Sequence, residues 1–276
     1  MQTRAAVDRE RYARMSGEEL RRSFLVEDLF APGELRLLHW ESERTVVGAA
    51  VPLADALALP VPAELRATHF LQRRELGVVN LGAPGAVTVD GARHALGPRD
   101  LLYVGRGARA VAFSSDDAQR PARFWLVSHP AHAEFPTRAA PVAEAQTLSI
   151  GDADKASART LRRHVHLGGV RSCQLVMGVT DIATGSVWNT MPPHTHARRT
   201  EIYLYFDLGP DEAVFHFMGP PGDTRHLVVR DLQAVLSPPW SVHFGAGSAR
   251  YAFVWSMGGE NQEFEDMDHV AVRDLR

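Results

Sequence analysis

Within "MPPHTHARRTEIYLYF", residues 191–206, His194 and His196 stand two apart and Glu201 follows five residues later. On a strand, side chains two apart point the same way, so both imidazoles can be aimed at one point. Along one unbroken strand Glu201 would face the opposite side. "ARRT" must therefore turn or bulge to bring its carboxylate round. A further imidazole, His243, follows a proline turn in "LSPPWSVHFGAG". Three imidazoles and a carboxylate suit Zn²⁺, Fe²⁺, Mn²⁺ or Ni²⁺, with positions left open for water or substrate. A pair of alternating histidines is by itself common in half-buried hairpins; the glutamate and the distant Pro-turn-His favour a metal site.

Other chemically capable residues read differently. His216 alternates with aromatics in "VFHFMG" and reads as a core histidine. His94 and His226 occupy matching places in a repeated pattern, which favours structural roles. Tyr203 and Tyr205 read as wall or core, and His269, in "DMDHVAVRDLR", as either a site residue or a docking contact. Imine chemistry would rest on Lys155, the sole lysine, which sits in the polar stretch "GDADKASART". Cys173 is the sole cysteine, so an intrachain disulfide and a cysteine-rich zinc cluster are both excluded; it reads as buried filler.

The elements that must position these groups are mostly short β runs separated by Gly, Pro and Asp, such as "GVVNLG", "DLLYVG", "EIYLYF" and "YAFVWSMGG". That pattern predicts an all-β sandwich or barrel. Ser16 and Glu19 form a capping box ahead of a short N-terminal helix. Pro192 and Pro193 favour an extended backbone into the first histidine. "RHALGPRDLLYV" (93–104) and "RHLVVRDLQAVL" (225–236) resemble each other, which predicts a duplicated domain, with residues 137–160 as a polar, Ala/Pro-rich linker. The net charge of −3 argues against nucleic acid as the main partner. The N-terminus lacks an apolar signal core, and the most apolar window is broken by Asp55 and prolines, so a soluble, cytoplasmic protein without membrane contact is expected.

The spacing H-x-H-x₄-E followed by P-x-W-x-x-H at 238–243 resembles the paired motifs of the cupin superfamily, with Trp240 where many cupins have glycine. Over nearly the whole chain, "FLQRRELGVVNLG", "WNTMPPHTHARRTEIYLYF" and "ENQEFEDMDHVAVRDLR" resemble the 5-keto-4-deoxyuronate isomerase (4-deoxy-L-threo-5-hexosulose-uronate ketol-isomerase) family. The resemblance implies two tandem cupin (jelly-roll) domains, residues 1–145 and 146–276, with the first metal site degenerate. It also implies one Zn²⁺ per chain on His194, His196, Glu201 and His243, and a homohexamer acting in pectin and uronate breakdown. In the first half His69 and Glu75 would stand for the first motif, and the second-motif histidine would fall near Ala110. The implied reaction interconverts 5-dehydro-4-deoxy-D-glucuronate and 3-deoxy-D-glycero-2,5-hexodiulosonate through an enediol(ate). Arg198 and Arg199, with Arg163 as a further candidate, could grip the substrate carboxylate. Glu201, Glu260, Asp268 and His269 are candidates for the base. An Fe(II) cupin dioxygenase and a non-catalytic sugar-binding bicupin are the competing readings.

Overall fold

Alternating β-branched and aromatic residues build two copies of one arrangement, each a seven-stranded sheet facing a four-stranded one. The computed structural model describes residues 1–276. The first seven-stranded sheet runs Gln2–Arg4, Leu35–Trp40, Thr45–Ala50, Phe124–Pro130, Arg74–Asn80, Leu101–Val104, Arg138–Ala140. The second runs Gln146–Ile150, Arg159–Val165, Val176–Ile182, Ala252–Gly258, Thr200–Phe206, Gln233–Ser237, Leu25–Val26. The four-stranded partners are Leu57–Ala58, Val111–Ser115, Gly85–Val89, Ala92–Leu96 and Trp188–Asn189, Val242–Gly247, Val214–Gly219, Arg225–Val229. The two resembling sequence stretches fall on equivalent strands, Ala92–Leu96 with Leu101–Val104 and Arg225–Val229 with Gln233–Ser237.

Period-two alternation sorts each central strand between two cores. Ile202, Leu204 and Phe206 join Val79, Tyr103 and Trp125 of the first half in a core shared by the two large sheets. Tyr203 and Tyr205 face the other way, into the second half's own barrel with Val214 and Met218. The expected helix spans Gly17–Phe24, with its Ser16–Glu19 capping box formed at 2.7 and 3.2 Å.

One strand of the first half crosses to the sheet of the second. Leu25–Val26 pairs with Val235 and Ala234 of the second half, whereas Arg138–Ala140 pairs with Leu101–Tyr103 of the first. The N-terminal segment follows its strand: Tyr12 and Phe24 lie in the second half's core, and the Tyr12 hydroxyl donates to Met218 O at 2.9 Å. Trp240, where a glycine is common in the resembling motif, packs edge-on against Tyr12 with ring centroids 5.3 Å apart.

Residues 137–160, expected as a linker, instead contain two strands, Arg138–Ala140 and Gln146–Ile150, and the start of a third, Arg159–Val165. Gln146–Ile150 is a sheet edge with mostly exposed side chains, so it lacks the apolar alternation that marks a strand in sequence.

Candidate metal centre

Three short segments bring the four predicted donors together. His194–His196 is a three-residue strand paired with Met267–His269, in register His194 to His269 and His196 to Met267. Val270 N donates to Pro193 O at 2.9 Å and His196 N to Pro239 O at 3.2 Å, which fixes the strand at both ends. Ala197–Arg199 then bends, as the spacing required, and Glu201 points inward near the start of Thr200–Phe206. His243 comes from Val242–Gly247 in the opposing small sheet. The donors thus span both walls of the barrel.

His194, His196, Glu201 and His243 are all buried, and their ligand atoms lie within 4.8 Å of one another. His243 Nε2 is 3.1 Å from His194 Nε2 and 2.7 Å from Glu201 Oε2; His196 Nε2 is 3.1 Å from Glu201 Oε2. A neutral imidazole nitrogen carries either one hydrogen or one lone pair, so these inward-facing atoms cannot all be satisfied by one another. A divalent cation would satisfy them together, and the donor set fits one. A proton on His243 Nδ1, beside Ser241 O at 3.3 Å, leaves the Nε2 lone pair facing inward, the tautomer of a ligating histidine. Burial and the neighbouring His243 push His194 down to about 3, keeping it neutral as a ligand must be. Burial pushes Glu201 up, but interactions with His243 and His196 outweigh it and hold the carboxylate well below its ordinary range.

His194, His196 and Glu201 line a cavity of about 240 Å³ whose wall is largely apolar, with Phe253, Trp255 and Met257 from the central strand Ala252–Gly258. Tyr203 also lines it, its hydroxyl 2.7 Å from Thr190 Oγ1. Tyr205 is core, hydrogen-bonded to His216 Nδ1 at 2.7 Å, and His216 is the buried core histidine expected of it. Phe264, Met267 and His269 close the cavity from the C-terminal segment 259–269.

The expected role of Arg198 and Arg199 is corrected. Neither lines the cavity. Arg198 pairs with Glu260 at 2.7 Å and Asp266 at 2.6 Å on the surface. Arg199 is fully buried and donates to Asn261 O at 2.8 Å, Asn261 Oδ1 at 3.0 Å and Glu263 O. Both fasten the 259–269 segment. Glu260 is engaged with Arg198, and Asp268 points away from the cavity between His269 and Met267, as strand alternation dictates. The cations at the cavity are Arg163 and Arg159. Arg159 carries no motif in the sequence, lying at the end of the polar, Ala/Pro-rich stretch 137–160; with Leu161 and Arg163 it forms one face of strand Arg159–Val165.

The first half departs from the expected remnants. His69 is half-buried, its Nδ1 3.0 Å from Thr68 Oγ1. Glu75 faces the interface between the halves, where it accepts from the Tyr103 hydroxyl at 2.7 Å and from Cys173 N, Gln174 N and Leu175 N at 2.7 to 2.8 Å. The inward place corresponding to Glu201 is taken by Arg74, which is buried and bound to Ser128 O and Arg44 O at 2.7 Å. The strand equivalent to the one carrying His243 is Val111–Ser115, just after Ala110, and it holds no histidine, cysteine or carboxylate. With an arginine in the glutamate's place and no donor on that strand, the first half offers no ligand set for a cation.

A tandem cupin with a single cluster of metal-capable donors at a cavity is the class that this fold and site define. The chain belongs to the KduI/IolB family, whose model matches residues 25–272. It is 48% identical over 276 residues, the whole of both chains, to a 4-deoxy-L-threo-5-hexosulose-uronate ketol-isomerase of Halalkalibacterium halodurans. It is 50% identical over 279 aligned residues, again covering both chains, to a protein of the same name from Kineococcus radiotolerans. An IolB-like protein of Salmonella typhimurium has the same fold, with a TM-score of 0.72 over 90% of this chain and 96% of that one at 12% identity.

Proposed function

We propose that this chain is a metal-dependent ketol-isomerase interconverting 5-dehydro-4-deoxy-D-glucuronate and 3-deoxy-D-glycero-2,5-hexodiulosonate. The observation that carries this is the convergence of His194, His196, Glu201 and His243, the first three lining a cavity, in a chain that matches named ketol-isomerases over its full length. The reaction takes a proton from C2 of the aldose end and returns one to C1 by way of an enediol(ate). His194, His196, Glu201 and His243 would hold a divalent cation, which would supply positive charge to offset charge developing on the substrate oxygens. Glu201 and His269 are the cavity-lining groups able to take a proton, and the Tyr203 hydroxyl, held by Thr190, is a fixed donor toward oxygen. The apolar wall of Phe253, Trp255 and Met257 excludes water from the proton-transfer zone.

Zn²⁺ is the ion this reading favours, because it polarises oxygen without redox side reactions and accepts nitrogen and oxygen donors. The reading extends to one ion per chain, a duplication unit dividing near residue 145, and a cytoplasmic homohexamer serving pectin breakdown. No helix is long and apolar enough to cross a membrane.

Elemental analysis together with a product assay on the keto-uronate tests the proposal. The purified protein is expected to carry divalent metal and to isomerise. His243→Ala and Glu201→Gln should lose bound metal, and His243→Ala should lose activity by about 100-fold or more, on the order of 2.7 kcal/mol of barrier. Full activity after stripping by a chelator, or oxygen consumption in place of isomerisation, would refute it.

A further inference from the structure

A keto-uronate has an anionic end as well as a reacting end, and the cluster at Glu201 accounts only for the second. The two cations that line the cavity, Arg159 and Arg163, differ in what they still have to offer. Arg159 already donates to Ser157 O at 2.8 Å and Met191 O at 3.1 Å. Arg163 has a buried Nε with no partner, and its nearest carboxylate, that of Glu265, stays 3.8 Å away and is 79% exposed. The Arg163 guanidinium is held over the Phe264 ring, 5.0 Å from its centroid. Its fork of donors is therefore positioned and free, which suits a planar carboxylate.

Arg163 also lines an outer groove of about 340 Å³, together with His166, Gln262 and Glu265. It stands between the cavity and the surface. A carboxylate bound there keeps part of its hydration, whereas one buried beside the Glu201 carboxylate would meet both desolvation and like charge. Resting on the isomerase reading, we infer that Arg163 binds the substrate carboxylate at the cavity mouth, displacing Glu265, so that the carbonyl end points inward to His194, His196 and Glu201.

The test compares the keto-uronate with its neutral C6-alcohol counterpart in wild type, Arg163→Gln and Arg163→Lys. Wild type should favour the uronate by about tenfold or more in kcat/KM. Arg163→Gln should erase that preference through KM, with kcat within about threefold and KM for the neutral compound unmoved. Arg163→Lys, which keeps the charge but not the fork, should fall between them and carries the test if the glutamine variant does not fold. Binding of the C1-alcohol form of the uronate, which cannot isomerise, is read separately from the fluorescence of Trp255 and should weaken in both variants. Retained preference for the uronate and unchanged probe binding in Arg163→Gln would overturn the inference. If wild type turns over neither compound, the isomerase reading falls, and the binding titration still decides the role of Arg163.

Discussion

His129 shows what a single buried side chain contributes to the pH response. It is fully buried, with Nδ1 3.3 Å from Thr45 Oγ1 and Nε2 without a partner. Its ring lies against Gly258 so closely that a Cβ there would be 2.3 Å from Cε1, which is why that position is glycine. Burial, with Arg74 and Arg199 nearby, pushes its pKa down to about 3. The folded protein thus holds His129 neutral while the unfolded chain protonates it near the ordinary value. Its contribution to stability is complete above about pH 6.5 and declines as pH falls toward 3, by at most ~1.4 kcal/mol per pH unit. Urea unfolding between pH 7 and pH 4 should therefore show a shallower loss of stability in His129→Gln than in wild type; parallel slopes would contradict this. At this scale the convergence of His194, His196, Glu201 and His243 was legible in the sequence, because H-x-H-x₄-E fixes three of them within one strand-bend-strand. The roles of Arg198 and Arg199 were not, because adjacency along the chain does not say which way a side chain turns after a bend. Arg74 in Glu201's place was hidden by Glu75, the neighbouring carboxylate that faces the other side.

The C-terminal segment 259–269 is the element that completes the cavity. It places Phe264, Met267 and His269 at the site and pairs with the strand carrying His194 and His196. One buried attachment is Arg199, whose guanidinium serves two backbone carbonyls. Arg199→Ala should destabilise the protein by about 2–3 kcal/mol, as loss of buried charged hydrogen bonds does. It should also open 259–269 to limited proteolysis and raise KM. Arg198→Ala, which breaks only surface ion pairs, should do less on each measure. Equal effects of the two variants would show that the segment is not held by its buried anchor. The long, alternating strands were readable from sequence because one face of each is apolar. Gln146–Ile150 was not, because an exposed edge strand has no such signature, and the 259–269 segment carries no pattern that announces a wall.

Across the whole molecule, the likeness of the two halves shows in the matching stretches at 93–104 and 225–236, which lie on equivalent strands. The crossing of Leu25–Val26 to the second half left no such trace, since a two-residue strand has too few positions to show a pattern. Residues 146–276 alone would lack the strand Leu25–Val26 and the side chains of Tyr12, Leu20 and Phe24 in their core. That fragment should be insoluble or unfolded by circular dichroism, and fusing residues 1–26 to it should recover folded protein. A stable, cooperative 146–276 fragment would show that the crossing segment is dispensable.

The same crossing governs the order of events at the ribosome. Tyr12, Phe24 and Leu25–Val26 are synthesised long before the edge that receives them, Gln233–Ser237. That segment must wait, undocked, until the second half has been made, so the barrel that carries the donor cluster closes only after Gln233–Ser237 has emerged.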